Sequence, residues 1–316
     1  MKRVAVGGLA AETRVTGMQP DDVVKADGAG GADSAVYDGT AAADTIQLAP
    51  VGSEQRVFSG DAAPFGTADV EDLRVRGRGD ADTLTMIGAP QAGLQVSLEG
   101  DDGDDVLRGG AGSERLLGGA GADAVDGNQG ADVAQLGTGA DTFTWDPGDG
   151  SDTVDGGGGS DALDFNGSNI GEIIDVSANA DRVSLTRNIA SIAMDLGGIE
   201  ELGVDVVGGA DAVQVGDLSG TGVKVADVDL NANVGGGDAS EDTVTVNGTA
   251  MRDQVIVARS GAQVMATGLP VETRISGSEA TLDTLRLSTL GGDDLVAFED
   301  AIDDLIRPVI DLGADG

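Results

Sequence analysis

Seven acidic residues stand at regular intervals in the middle of this sequence. Asp105, Glu114, Asp123, Asp132 and Asp141 recur every nine residues, and after an eleven-residue step the series resumes at Asp152 and Asp161. Two like charges about 4 Å apart repel by about 4 kcal/mol at an effective dielectric of about 20, so clustered carboxylates need solvent or cations. The chain has no Cys and no His. That removes zinc and haem sites built from those ligands, disulfides, and the nucleophile systems that depend on His or Cys. Oxygen donors remain, and hard oxygen ligands favour Ca²⁺ over soft transition metals.

The elements that must position these acids are short strands and glycine turns. Two places after each acid stands an apolar residue: Leu107, Leu116, Val125, Ala134, Phe143, Val154 and Leu163. Side chains alternate along a strand, so an inward apolar residue leaves its two immediate neighbours facing solvent. The five tandem units GDDGDDVLR, GGAGSERLL, GGAGADAVD, GNQGADVAQ and LGTGADTFT cover 100–144. Their glycines turn the chain back without steric penalty.

The pattern resembles the RTX (repeats-in-toxin, haemolysin-type) calcium-binding nonapeptide, GGxGxDxUx with U a large apolar residue. The unit GGAGADAVD at 118–126 matches every fixed position; elsewhere Asp101 and Asn128 replace the second Gly, Leu136 the first, Glu114 the acid and Ala134 the large apolar residue. The resemblance implies a right-handed parallel β-roll with two nonapeptides per coil. Residues eighteen apart then stack, placing Asp105, Asp123 and Asp141 in one column and Glu114 with Asp132 in another. It further implies Ca²⁺ bound by the carboxylates of Asp105, Glu114, Asp123, Asp132, Asp141, Asp152 and Asp161. Glu114 is the odd ligand, because its extra methylene carries the carboxylate past the place where Asp would hold it. Backbone carbonyls of the turns complete the expected set: Gly100, Asp102, Gly109, Ala111, Gly118, Ala120, Gly127 and Gln129. Stacked carboxylates repel and turn carbonyls lack strand partners, and a cation taking six to eight oxygens answers both.

The flanks repeat more loosely. The stretch from Val70 to Leu84 aligns with that from Ile199 to Val213, and Asp33 to Asp44 (DSAVYDGTAAAD) aligns with Asp242 to Asp253 (DTVTVNGTAMRD). Leu9 to Val15 matches Leu269 to Ile275, and a repeat near 40 residues encloses the nonapeptide block. Alternating runs such as Thr243 to Val246 predict more β-solenoid, with at most a helical turn between Asp300 and Ile306. The expected organisation is one elongated all-β stack in three segments: 1–99, 100–165 and 166–316. Outside the block, Asp44, Asp82, Asp211, Asp253 and Asp294 read as turn residues bonding their own backbone. Arg78-Gly79-Asp80 reads as a repeat turn, and Trp145 as a core plug where the nine-residue rhythm breaks. Arg182, Arg187, Arg252 and Arg259 read as solvent-facing.

Composition bounds the function. Aromatic residues are only 2% of the chain while hydrophobic ones reach 40%, which suits a thin aliphatic core rather than a wide one. A net charge of −38 repels phosphate, so nucleic acid is excluded as a partner. No apolar run is long enough for a membrane helix, and the basic start at 1–3 is followed by too short an apolar run for a cleaved signal. These observations predict a non-enzymatic, calcium-binding structural protein at the cell surface or outside the cell, such as a stalk, matrix or fibre component, secreted without a cleaved N-terminal signal. Both ends fall inside repeats, which predicts either a longer parent or end-to-end self-association. Two alternatives use the same fold: a glycan- or ice-binding face, hinted at by Thr83/Thr85, Thr142/Thr144 and Thr243/Thr245, and a polysaccharide lyase or epimerase.

Overall fold

The structure is a computed structural model that describes residues 12–15, 24–27, 32–60, 64–232, 235–299 and 301–313. The basic start at 1–3, residues 9–11 of the Leu9 repeat, Asp300 and the last three residues lie outside them. The regular structure of the described residues is β-strand, with two 3-10 turns, Ile189–Ser191 and Ile302–Asp304, and no α-helix. It forms two compact units, one of residues 1–144 and 148–159, the other of 145–147 and 160–316.

In the first unit every coil but one gives a single strand to each of two sheets whose coils stack in parallel. Ser34–Asp38, Asp72–Gly79, Gln95–Asp102, Glu114–Ala120, Val133–Gly139 and Thr153–Gly159 pair in that order in one sheet. Thr45–Val51, Thr83–Met86, Val106–Arg108, Ala124–Asp126 and Thr142–Trp145 pair in the other. The register is the eighteen-residue step that the nonapeptides imply: Leu98, Leu116 and Ala134 align, as do Leu107, Val125 and Phe143. A one-residue slip would turn these side chains outward, so their burial fixes the register. All six are at most 2% exposed, each large one worth about 1.5–3 kcal/mol when removed from water.

The looser flanking repeats have a definite cause. Three antiparallel strands, Thr45–Val51, Glu54–Ser59 and Phe65–Ala68, replace a single strand in one coil of the first unit. An odd number of strands leaves the chain heading in its original direction, so the coil resumes in parallel at Thr83–Met86.

The second unit uses the same device twice. Ile173–Asn179, Arg182–Arg187 and Ile192–Gly197 form one antiparallel triplet, and Gln254–Ser260, Gln263–Thr267 and Glu272–Ser276 another. Around them run two parallel series: Ile173–Asn179, Ala212–Val215, Thr243–Asn247, Thr284–Ser288 and Arg307–Asp311, and Ala162–Asn166, Glu201–Asp205, Val225–Asp229 and Glu272–Ser276. Trp145 is fully buried and stacks on Phe165 with ring centroids 4.2 Å apart and planes at 7°. Arg187 corrects the solvent-facing expectation. It is 4% exposed, its Nε donates to Glu172 Oε1 at 2.8 Å, and its guanidinium lies 5.3 Å from the Trp145 ring. A buried arginine needs an anion to compensate its charge, which Glu172 supplies, and the Trp145 ring adds a cation–π contact.

Candidate metal centre

Each Asp of the nonapeptide series sits immediately before a short strand, Glu114 is the first residue of its own, and all seven are buried. The strand that follows pins the backbone, so the carboxylate is directed back into its own turn. In the first unit these residues form two ladders joined by one repeated bond. The Asp105 N–H donates to Asp123 Oδ1 at 2.8 Å, and the Asp123 N–H to Asp141 Oδ1 at 2.8 Å. On the other side the Glu114 N–H donates to Asp132 Oδ1 at 2.7 Å, and the Asp132 N–H to Asp152 Oδ1 at 2.8 Å. In the second unit Asp161 donates its N–H to Glu200 Oε2 at 2.9 Å.

One carboxylate oxygen therefore satisfies the amide of the neighbouring coil. The other is left over: Oδ2 of Asp105, Asp123 and Asp132 is buried and has no hydrogen-bond donor. A buried anionic oxygen without a donor is costly, and the cost appears as a raised pKa. Burial pushes Asp123 up to about 6 and Asp132 up to about 8, with neighbouring acids adding to the rise. Asp152 is also pushed up to about 6, and Asp105 is raised, in both cases chiefly by burial.

Glycine makes room for this oxygen. A Cβ on Gly118 would lie 2.2 Å from the Leu136 carbonyl oxygen and 2.4 Å from Asp123 Oδ2; one on Gly100 would lie 2.2 Å from Asp105 Oδ2 and 2.5 Å from the Gly118 carbonyl oxygen. Carboxylate and carbonyl oxygens thus border the same small space, the donor chemistry that Ca²⁺ accepts. The first residue of each nonapeptide, Gly100, Gly109, Gly118 and Gly127, is buried at this cradle. The third residues, Asp102, Ala111, Ala120 and Gln129, are exposed at the outer edge of the turn. The Ala120 carbonyl at the outer edge accepts the Gly103 N–H at 2.7 Å, and the buried Gly109 carbonyl accepts the Asn128 side-chain amide at 3.2 Å, so both already have a donor. Carbonyls at the second and fourth places, outside the expected set, point toward the glycines of the next coil. The Gly119 carbonyl oxygen lies 2.1 Å from where a Cβ on Gly137 would be, and the Gly121 carbonyl oxygen 1.7 Å from one on Gly139. The signal that could have found them is the recurrence of glycine at both places.

Glu114 behaves differently from its aspartate neighbours. Its longer side chain reaches the Gly110 N–H through Oε2 at 2.7 Å, leaving Oε1 buried without a donor. Among the described residues, no group of three acidic side chains lies close enough to hold a metal by itself. A cation here would have to draw on turn carbonyls as well.

The flanking acids divide into two kinds. Asp44 and Asp253 bond their own turns as expected, each receiving a threonine N–H: Thr40 at 2.6 Å and Thr249 at 2.8 Å. Asp82, Asp211 and Asp294 correct the expectation. Each receives the N–H of an acid one coil away, at 2.6, 2.6 and 2.9 Å, while Oδ2 stays buried without a donor.

No helix among the described residues is long and apolar enough to cross a membrane. No curated protein matches the chain. Residues 97–125 and 108–143 match the RTX calcium-binding nonapeptide repeat family, so this stretch, which holds Asp105, Glu114, Asp123, Asp132 and Asp141, carries repeats of the calcium-binding type.

Proposed function

We propose that the segment 100–165 binds Ca²⁺ at its turns and that binding drives the folding of these coils. The ligands are the carboxylates of Asp105, Asp123, Asp132, Asp141, Asp152 and Asp161, with carbonyls of the glycine turns. Glu114 contributes least, because its longer side chain turns one oxygen onto the Gly110 amide of its own turn instead of onto the neighbouring coil, displacing the carboxylate from where the aspartates hold theirs. The observation that carries the reading is the donorless Oδ2 of Asp105, Asp123 and Asp132, buried beside carbonyl oxygens in a stretch matching a calcium-binding repeat. The cation would supply the positive charge that these oxygens lack, and its binding free energy becomes folding free energy.

The biological role that follows is structural. A chain of net charge −38 resists compaction where calcium is scarce and folds where calcium is plentiful, which suits a stalk, matrix or fibre component outside the cell. Circular dichroism with calcium titrated against a chelator tests the reading. A β-sheet signal that grows with calcium supports it; a spectrum already complete in chelator and unchanged by calcium contradicts it.

A further inference from the structure

We propose one more divalent-cation site, at the turn of residues 77–82, which precedes the residues matching the repeat family. The proposal rests on the calcium reading of 100–165 and extends it to a turn whose sequence, GRGDAD, keeps only the first glycine and the acid of the nonapeptide. Asp82 is 1% exposed, its Oδ1 receives the Asp44 N–H at 2.6 Å, and its Oδ2 is buried with no donor. That oxygen faces Gly77, 2.1 Å from where a Cβ would stand, as Asp105 Oδ2 faces Gly100 at 2.2 Å. The turn is also in register with the ladder, since the Asp82 N–H donates to Asp105 Oδ1 at 2.7 Å.

The surroundings offer negative charge and backbone oxygen. The charges acting on Asp82 are those of Asp105, Asp44 and Asp80, all acidic. Arg78, four residues before it, is engaged by Asp38 at 3.3 Å. Arg78 and Asp80 stand where the nonapeptide has glycine, yet hold φ of 90° and 67°, so the backbone keeps the path of the glycine turns. The Asp80 carbonyl oxygen lies 2.1 Å from a Cβ position on Gly103, as the Gly103 oxygen lies 2.0 Å from one on Gly121. The column of turn carbonyls therefore continues one coil past the matched repeats.

It stops at the next coil. Asp44 Oδ2 receives both the Thr40 N–H at 2.6 Å and the Thr40 hydroxyl at 2.9 Å, so that oxygen has the donors that Asp82 Oδ2 lacks. The residue after the first glycine decides the difference: Thr40 caps the carboxylate from within, and Arg78 does not. Asp82 is thus the last cation ligand on this side of the first unit.

Terbium, which replaces Ca²⁺ at oxygen sites and scatters anomalously, locates the ions in crystals of the unaltered full chain. An anomalous peak beside Asp82 Oδ2, along with peaks beside Asp105 and Asp123, is expected. Peaks at Asp105 and Asp123 with none at Asp82 would overturn this site and leave the reading of 100–165 standing; a map without peaks at any turn would overturn both. In solution, equilibrium dialysis against calcium should give fewer bound ions for D82N than for the unaltered chain, with D44N unchanged. Equal counts for D82N and the unaltered chain refute the site, and if D82N fails to fold, the terbium map decides alone.

Discussion

The energetics of single residues here turn on what a buried oxygen or nitrogen is given to bond. Asp123 has one oxygen on a neighbouring amide and one without a donor, and burial raises its pKa from 3.8 to about 6. A shift of that size costs about 3 kcal/mol when the group is ionised without a cation. The substitution D123N removes the charge and the cation ligand together. Its melting temperature is therefore expected to rise in chelator and fall in saturating calcium, relative to the unaltered chain. Thermal unfolding under both conditions checks this, and a shift of the same sign in both would refute it. Gly118→Ala fills the cradle itself, with the new methyl carbon 2.2 Å from a carbonyl oxygen. A loss of at least about 1–3 kcal/mol is expected from overpacking, measured by denaturant unfolding in saturating calcium. Arg187 supplies a contrasting case, because its partner Glu172 is buried too. R187M should cost about 3–5 kcal/mol by leaving that carboxylate uncompensated. A change below about 1 kcal/mol in the same unfolding assay would mean that solvent reaches Glu172 after all.

At the level of strands and turns, acid ladders also cross coils that lack nonapeptides. In the second unit the Glu172 N–H donates to Asp211 Oδ1 at 2.6 Å, and the Asp211 N–H to Asp242 Oδ1 at 2.8 Å. Burial, reinforced by neighbouring acids, pushes Asp211 to about 6 and Asp242 to about 7. An acid whose folded pKa is raised holds a proton that the unfolded chain has already lost. Between about pH 4 and pH 7 the folded state then binds more protons, and stability falls as pH rises. Unfolding in chelator should accordingly show a more stable second unit at pH 5 than at pH 7.5, and D242N should flatten that slope. A D242N slope as steep as that of the unaltered chain would remove Asp242 as its source. How far these elements could be read from sequence depended on what each pattern encodes. The nine-residue spacing of Asp105 to Asp141 and the apolar residue two places on fixed coil length and register together, because only one register buries Leu107, Val125 and Phe143. The antiparallel triplets were not legible, since Thr45–Val51 and Gln254–Ser260 alternate apolar and polar residues as a parallel strand does. They account for the steps near 40 residues at 33–71, 161–200 and 242–283, each a coil enlarged by a returning hairpin, whereas 200–242 spans three strands with no hairpin. Arg187 was misread for a related reason: strand alternation marks which residues face the core, and only the hairpin brings Glu172 and Trp145 to it.

For the whole molecule, calcium is expected to be a condition of folding for part of the chain only. Turns such as those of Asp44 and Asp253 carry their own threonine donors, whereas those of Asp105, Asp123 and Asp132 leave an oxygen without one. Loss of calcium is therefore expected to open the nonapeptide coils before the self-capped ones, and limited proteolysis in chelator should cut first within 100–159. Early cleavage at 39–44 or 248–253 instead would contradict that order. The most direct test of the central claim is hydrogen exchange, read residue by residue with calcium and with chelator. The amides of Asp105, Glu114, Asp123 and Asp132, each bonded to an acid on the neighbouring coil, should be strongly protected in calcium and exchange rapidly without it. Equal protection of those four amides in chelator would show that these coils hold together without a cation, and the account would be wrong.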